Sequence, residues 1–163
     1  MKNMDQKLLY EPVKEWLESK DFKVLITGDK PEIVIPVSDI APPLYKIPDL
    51  MGIDKTDKVV IVEVEQEKKK FFDVLGRCML WKCMATFVYI ACPRNTFPRA
   101  KILEKLGIGL VNVNESNGEV EELISMFPRS STDLYKVCEL HPLDFSKEQG
   151  LAKQIRDILD YET

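Results

Sequence analysis

Two short apolar runs, Ile47-Pro48-Asp49-Leu50 and Val59-Val60-Ile61-Val62-Glu63-Val64-Glu65, carry carboxylates inside stretches that otherwise read as buried β-strand. A buried, unpaired charge is very costly, so acids in such places have a partner or bind one. Apolar side chains at 59 through 62 and at 64 cover both faces of a strand. Glu63 and Glu65, two residues apart, point to the same face. If residues 45–53 pair antiparallel with 58–66 across a three-residue loop at Lys55-Thr56-Asp57, Asp49 falls directly opposite Glu63. A four-residue loop would put Asp49 opposite Val62 and separate the acids. Facing carboxylates need a cation or a shared proton, and an all-oxygen set suits Mg²⁺ or Mn²⁺.

The acids at 63 and 65 are followed at once by a basic segment. Residues 66–105 hold nine Lys or Arg against Glu67, Asp73 and Glu104, a net of +6, whereas the whole 163-residue chain has a formal charge of −4. Such an arrangement fits a phosphodiester partner, with cations to hold the backbone beside carboxylates. Lys68, Lys69, Lys70, Arg77 and Lys82 are the candidate nucleic-acid contacts. An acidic total excludes a chain that coats nucleic acid indiscriminately.

The chain is long enough for one ordinary core and short for two. No apolar run reaches the roughly 18 residues of a membrane span, and the N-terminus opens on no signal-peptide pattern, so the expectation is a cytoplasmic protein with no membrane partner. Cys78, Cys83, Cys92 and Cys138 lack C-x-x-C spacing and read as reduced side chains. The lone His141 lies far along the chain from the acids and reads as a loop or surface residue.

Leu9, Val13, Trp16 and Leu17 predict an amphipathic first helix up to about Lys20, with Pro12 comfortable only in its first turn. Strands are predicted at 22–27, at 32–35, in the hairpin at 45–66, at 86–92 and at 109–114. Helices are predicted at 67–84, from Pro98 to Leu106 with Gly107 as C-cap, at 119–126, and from Ser146 with Gln149 completing a capping box. Helix and strand alternating after 67 imply parallel strands attached to an antiparallel hairpin. The fold class is therefore α/β, with one mixed sheet flanked by helices. Residues 1–127 form the α/β domain, and residues 128–163 form a helical extension on the body or on a second copy of the chain, so a homodimer is one of two outcomes.

Glu11 on the first helix, Pro48-Asp49, Glu63-x-Glu65 at a strand end, the helix after it and the strand Phe87–Ala91 together resemble the PD-(D/E)XK nuclease superfamily, over roughly Leu8 to Val113. The resemblance implies a restriction endonuclease-like fold. It also implies metal-dependent hydrolysis of DNA, with Asp49, Glu63 and Glu65 toward Mg²⁺ or Mn²⁺ and Glu11 as the helix acid of a catalytic set. Arg77 and Trp81 stand where many members have Gln and Tyr. Glu65 stands where the family's Lys orients the attacking water, so it would act as base or ligand. The alternative is a nuclease-like fold that has lost hydrolysis and serves as a DNA-binding or protein-interaction module.

Overall fold

The computed structural model describes residues 5–28, 35–36, 45–97, 100–127 and 145–162. A 3-10 turn, Gln6–Leu9, opened by the Asp5 side chain accepting from the Lys7 N–H, runs into helix α1, Tyr10–Glu18. Pro12 sits in the first turn of α1, where its missing N–H costs nothing. The strands are β1 (Lys23–Ile26), β2 (Ile35–Pro36), β3 (Tyr45–Lys46), β4 (Leu50–Ile53), β5 (Val59–Val64), β6 (Phe87–Pro93), β7 (Gly109–Val113) and β8 (Val120–Ile124). Helix α2 spans Phe71–Trp81 after a 3-10 turn at Lys68–Lys70, α3 spans Ala100–Leu106, and α4 spans Phe145–Glu162.

One six-stranded sheet has the order β1-β4-β5-β6-β7-β8, and β2 and β3 form a separate two-stranded ladder. The β1–β4, β4–β5 and β7–β8 pairs are antiparallel, whereas β5–β6 and β6–β7 are parallel. The sheet is mixed, and the chain is a single α/β domain. Its core has two layers. Leu25, Met51, Ile61, Val88, Ile90 and Leu110 face Val74, Cys78 and Trp81 of α2, Leu103 of α3, and Leu151 and Ile155 of α4. On the other face, Val60, Val62, Val64, Tyr89 and Val111 pack on Leu9, Val13 and Leu17. Every residue of β5 is buried, which is why its sequence is apolar on both faces. Helix α4 packs on β1, β4 and β5 of the same chain.

The β4–β5 register runs Leu50↔Val62, Met51↔Ile61, Gly52↔Val60, Ile53↔Val59. The turn that sets it has three residues: Asp54 N–H donates to the Lys58 carbonyl at 3.0 Å, and Asp57 adopts φ 66°. The Asp54 carboxylate stabilises the turn by accepting from the N–H groups of Thr56 and Lys58 at 2.7 and 2.9 Å.

Two expected elements differ. Residues 45–53 are not one strand: Tyr45–Lys46 pair with Ile35–Pro36 instead of continuing along β5. Pro48 has no N–H for the ladder, and its carbonyl is taken by the Thr27 hydroxyl at 2.5 Å. The expected helix at 119–126 is strand β8. Asn117-Gly118, with Gly118 at φ +74°, turns the chain into a β7–β8 hairpin whose Asn114 N–H meets the Glu119 carbonyl at 2.8 Å. The other elements agree with expectation within a few residues. These include the end of α3, where Gly107 at φ +68° lets the Ile108 N–H reach the Leu103 carbonyl at 2.9 Å. The expected strand at 32–35 lies largely outside the described residues. So do His141, Cys138 and the side chains of the expected cap at 146, although α4 itself begins at Phe145.

Candidate functional site

One step beyond Leu50↔Val62, the hairpin register brings Asp49 across from Glu63, and their carboxylates interact directly. Asp49 Oδ1 accepts from the Tyr10 hydroxyl at 2.9 Å, and Oδ2 accepts from the Val64 N–H at 2.7 Å and from Gln6 Nε2 at 3.4 Å. Gln6 Nε2 also donates to the Val64 carbonyl. Gly28 closes over this corner: a Cβ there would lie 2.6 Å from the Tyr10 hydroxyl oxygen and 3.1 Å from Asp49 Oδ1.

Glu63 leans toward α2. Its Oε1 accepts from the Trp81 indole N–H at 2.5 Å and its Oε2 from Arg77 Nε at 3.3 Å. Burial, and then the charge of Asp49, pushes its carboxyl up to about 7, against the pull of Trp81 and Arg77 toward ionisation. Burial likewise raises Asp49, against its hydrogen bonds from Val64 and Tyr10. Both carboxyls are therefore held above their ordinary range, Glu63 chiefly by burial and then by the charge of Asp49.

Glu65 bends another way. Its Oε1 accepts from the N–H groups of Gln66 and Glu67, both at 3.0 Å, and its Oε2 lies 3.8 Å from Arg77 Nη2. The reason is local: where β5 ends, two backbone N–H groups lose their strand partners, and the nearest acceptor is this side chain. Next to it, Gln66 Nε2 is buried without a hydrogen-bond partner among the described residues.

The structure thus brings Asp49 and Glu63 together and joins Glu65 to them through Arg77. Glu11 does not join them. It is exposed on α1, while Gln6 and Tyr10, one helical turn apart, meet Asp49 in its place. Lys82 is buried, and its ammonium donates to the Gly107 carbonyl at 2.7 Å, capping the end of α3. Arg77 is turned to the glutamates. Lys68, Lys69 and Lys70 are exposed, with Lys69 and Lys70 at 3.0 and 3.3 Å from Glu67. They follow β5 as Arg94, also exposed, follows β6, so these cations share the carboxyl edge of the parallel strands.

As arranged, the donor set does not fit a divalent ion. The oxygens of Asp49 and Glu63 already accept from protein donors, and Glu65 Oε1 is turned to its own backbone. Among the described residues, no three His, Cys, Asp or Glu side chains are grouped to hold a metal. Sequence reasoning missed Gln6 and Tyr10; their i, i+4 spacing, from the 3-10 turn into the start of α1, was the available signal.

No family model and no curated protein matches the sequence. A solved structure described as the SPO1766 protein of unknown function from Silicibacter pomeroyi is similar over 99% of this chain and 96% of its own, with TM-score 0.53 and 13% identity. That likeness concerns the fold alone. No helix among the described residues is long and apolar enough to cross a membrane.

Proposed function

We propose that this chain is a nuclease-fold module that holds DNA without hydrolysing it. The observation that carries this reading is that all three carboxylates are already engaged by protein donors. Tyr10, the Val64 N–H, Trp81, Arg77 and the N–H groups of residues 66 and 67 orient the carboxylate oxygens toward the protein itself. Glu65 offers no amine to orient a nucleophile. The exposed Lys68–Lys70 turn and Arg94 supply cations for phosphate contacts along the same edge of the sheet.

The test combines binding and cleavage. Duplex and branched DNA should bind weakly, with affinity falling as salt rises, and Lys69→Glu with Lys70→Glu should weaken binding to all sequences alike. Supercoiled plasmid with Mg²⁺ or Mn²⁺ should stay uncut. Cleavage that disappears in Asp49→Asn would overturn the reading, as would DNA affinity indifferent to both lysine reversals.

A second reading, a working Mg²⁺-dependent nuclease, is favoured by the direct contact of Asp49 with Glu63. In that case these two acids would hold the ion, and Glu65 would complete the set or take a proton. The plasmid assay separates the two.

A further inference from the structure

Phe72, in the first turn of α2, is 72% exposed, more than any other large apolar side chain among the described residues. The ring is nonetheless braced. It meets Phe71 edge-on with 5.5 Å between centroids, and Phe71 meets the buried Phe97 at 5.2 Å, so three rings run from the core to the surface. Gly76, one turn further along the same face of α2, bears no side chain, and a Cβ there would find nothing within 4 Å. The surface beside Phe72 is therefore open. Lys68, Lys69 and Lys70 form the turn that leads into the helix, and all three are exposed. Glu67 pairs with Lys69 and Lys70 at 3.0 and 3.3 Å, but ion pairs so open to water are weak and yield to a phosphate.

We propose that Phe72 and the Lys68–Lys70 turn hold single-stranded DNA, with an unpaired base stacked on the Phe72 ring and the flanking phosphates on the lysines. This rests on the DNA-holding reading above and names the form of DNA that the site favours. A bare aromatic ring within four residues of three ammonium groups matches a partner that is flat and apolar on one side and anionic on another. An unpaired nucleotide has both properties at the right scale. A paired one does not, because its neighbours in the stack cover the faces of its base. Duplex DNA is therefore left with the lysines alone, while a single strand gains the ring as well. The brace through Phe71 to Phe97 matters here, since a ring already held in place loses little freedom when a base settles on it.

Fluorescence anisotropy with a labelled oligothymidine of about 20 nucleotides and with a labelled hairpin duplex tests this. Wild type should bind the single strand about tenfold more tightly than the duplex. Phe72→Ala should lose about tenfold on the single strand and stay within about twofold on the duplex, and Phe72→Trp should keep the wild-type preference. Because the ring is exposed, both variants should melt with wild type. Lys69→Glu with Lys70→Glu should weaken binding of both ligands. Equal affinity of wild type for the two ligands overturns the proposal, as does a Phe72→Ala that matches wild type on the single strand, and both leave the DNA-holding module intact. An oligouridine bound through the same ring about tenfold more tightly than the oligothymidine overturns it in favour of RNA. Wild type that binds neither form of DNA overturns the proposal together with that module.

Discussion

Tyr10 donates its hydroxyl proton to Asp49 across 2.9 Å, tying the first turn of α1 to a hairpin 39 residues further along the chain. The bond is partly buried, and removing the hydroxyl leaves a carboxylate oxygen short of a donor. Tyr10→Phe should therefore cost about 1–2 kcal/mol. Glu11→Gln, one residue on and exposed, should stay within about 0.5 kcal/mol. Urea unfolding of both variants makes the comparison, and equal losses would mean that the first helix is rotated from its position here.

Stability should depend on pH through Glu63. Its folded-state carboxyl is raised to about 7, above the ordinary value of 4.5, so the folded protein holds a proton that the unfolded chain has released. That contribution is fully present below the ordinary value and is lost as pH rises through about 7, by an amount on the order of 2–3 kcal/mol. Glu63→Gln should flatten the profile between pH 5 and 8 and melt higher than wild type at the alkaline end. Parallel pH profiles for the two proteins would refute this.

Glu65→Lys introduces the residue that the PD-(D/E)XK nucleases carry at the position Glu65 resembles and tests whether the scaffold could use it. Here it removes the acceptor for two backbone N–H groups and sets an ammonium beside Arg77, so a loss of about 1–3 kcal/mol is expected. No plasmid nicking should appear. A folded Glu65→Lys that nicks DNA with Mg²⁺ would mean that the rest of the site is competent.

Lys82→Met should separate burial from charge. The ammonium caps α3 through the Gly107 carbonyl, so its loss should destabilise by about 1–3 kcal/mol while leaving the DNA affinity of the folded protein unchanged. Weaker binding, measured by fluorescence anisotropy with correction for the unfolded fraction, would return Lys82 to the interface.

How much of this was legible in the sequence depended on the range of the interaction. The meeting of Asp49 and Glu63 follows from a three-residue turn and an apolar alternation that lie close together, so it could be foreseen. Tyr10 and Glu11 are neighbours in sequence but point about 100° apart around a helix. Which of them faces Asp49 depends on how α1 is rotated against the sheet, and that is decided by Leu9, Val13 and Leu17 packing on strands far along the chain. The burial of Lys82 could have been foreseen, because it lies one turn beyond Cys78 on the buried side of α2. Strand β8 was obscured by its adjacent acids, Glu121 and Glu122, although Asn117-Gly118 announced the hairpin. The bend of Glu65 toward Gln66 and Glu67 has no sequence signature, since it answers to where β5 happens to end.

The order of the sheet bears on how the chain finds its structure. Hairpins β4–β5 and β7–β8 close over short loops and can form on the microsecond scale, whereas β6 has parallel neighbours on both sides and must wait for two helical crossovers. The molecule is in effect two local hairpins cemented by one late strand. Mutations in β6 should therefore mainly speed unfolding, and its amides, paired on both edges, should exchange with deuterium later than those of either hairpin turn.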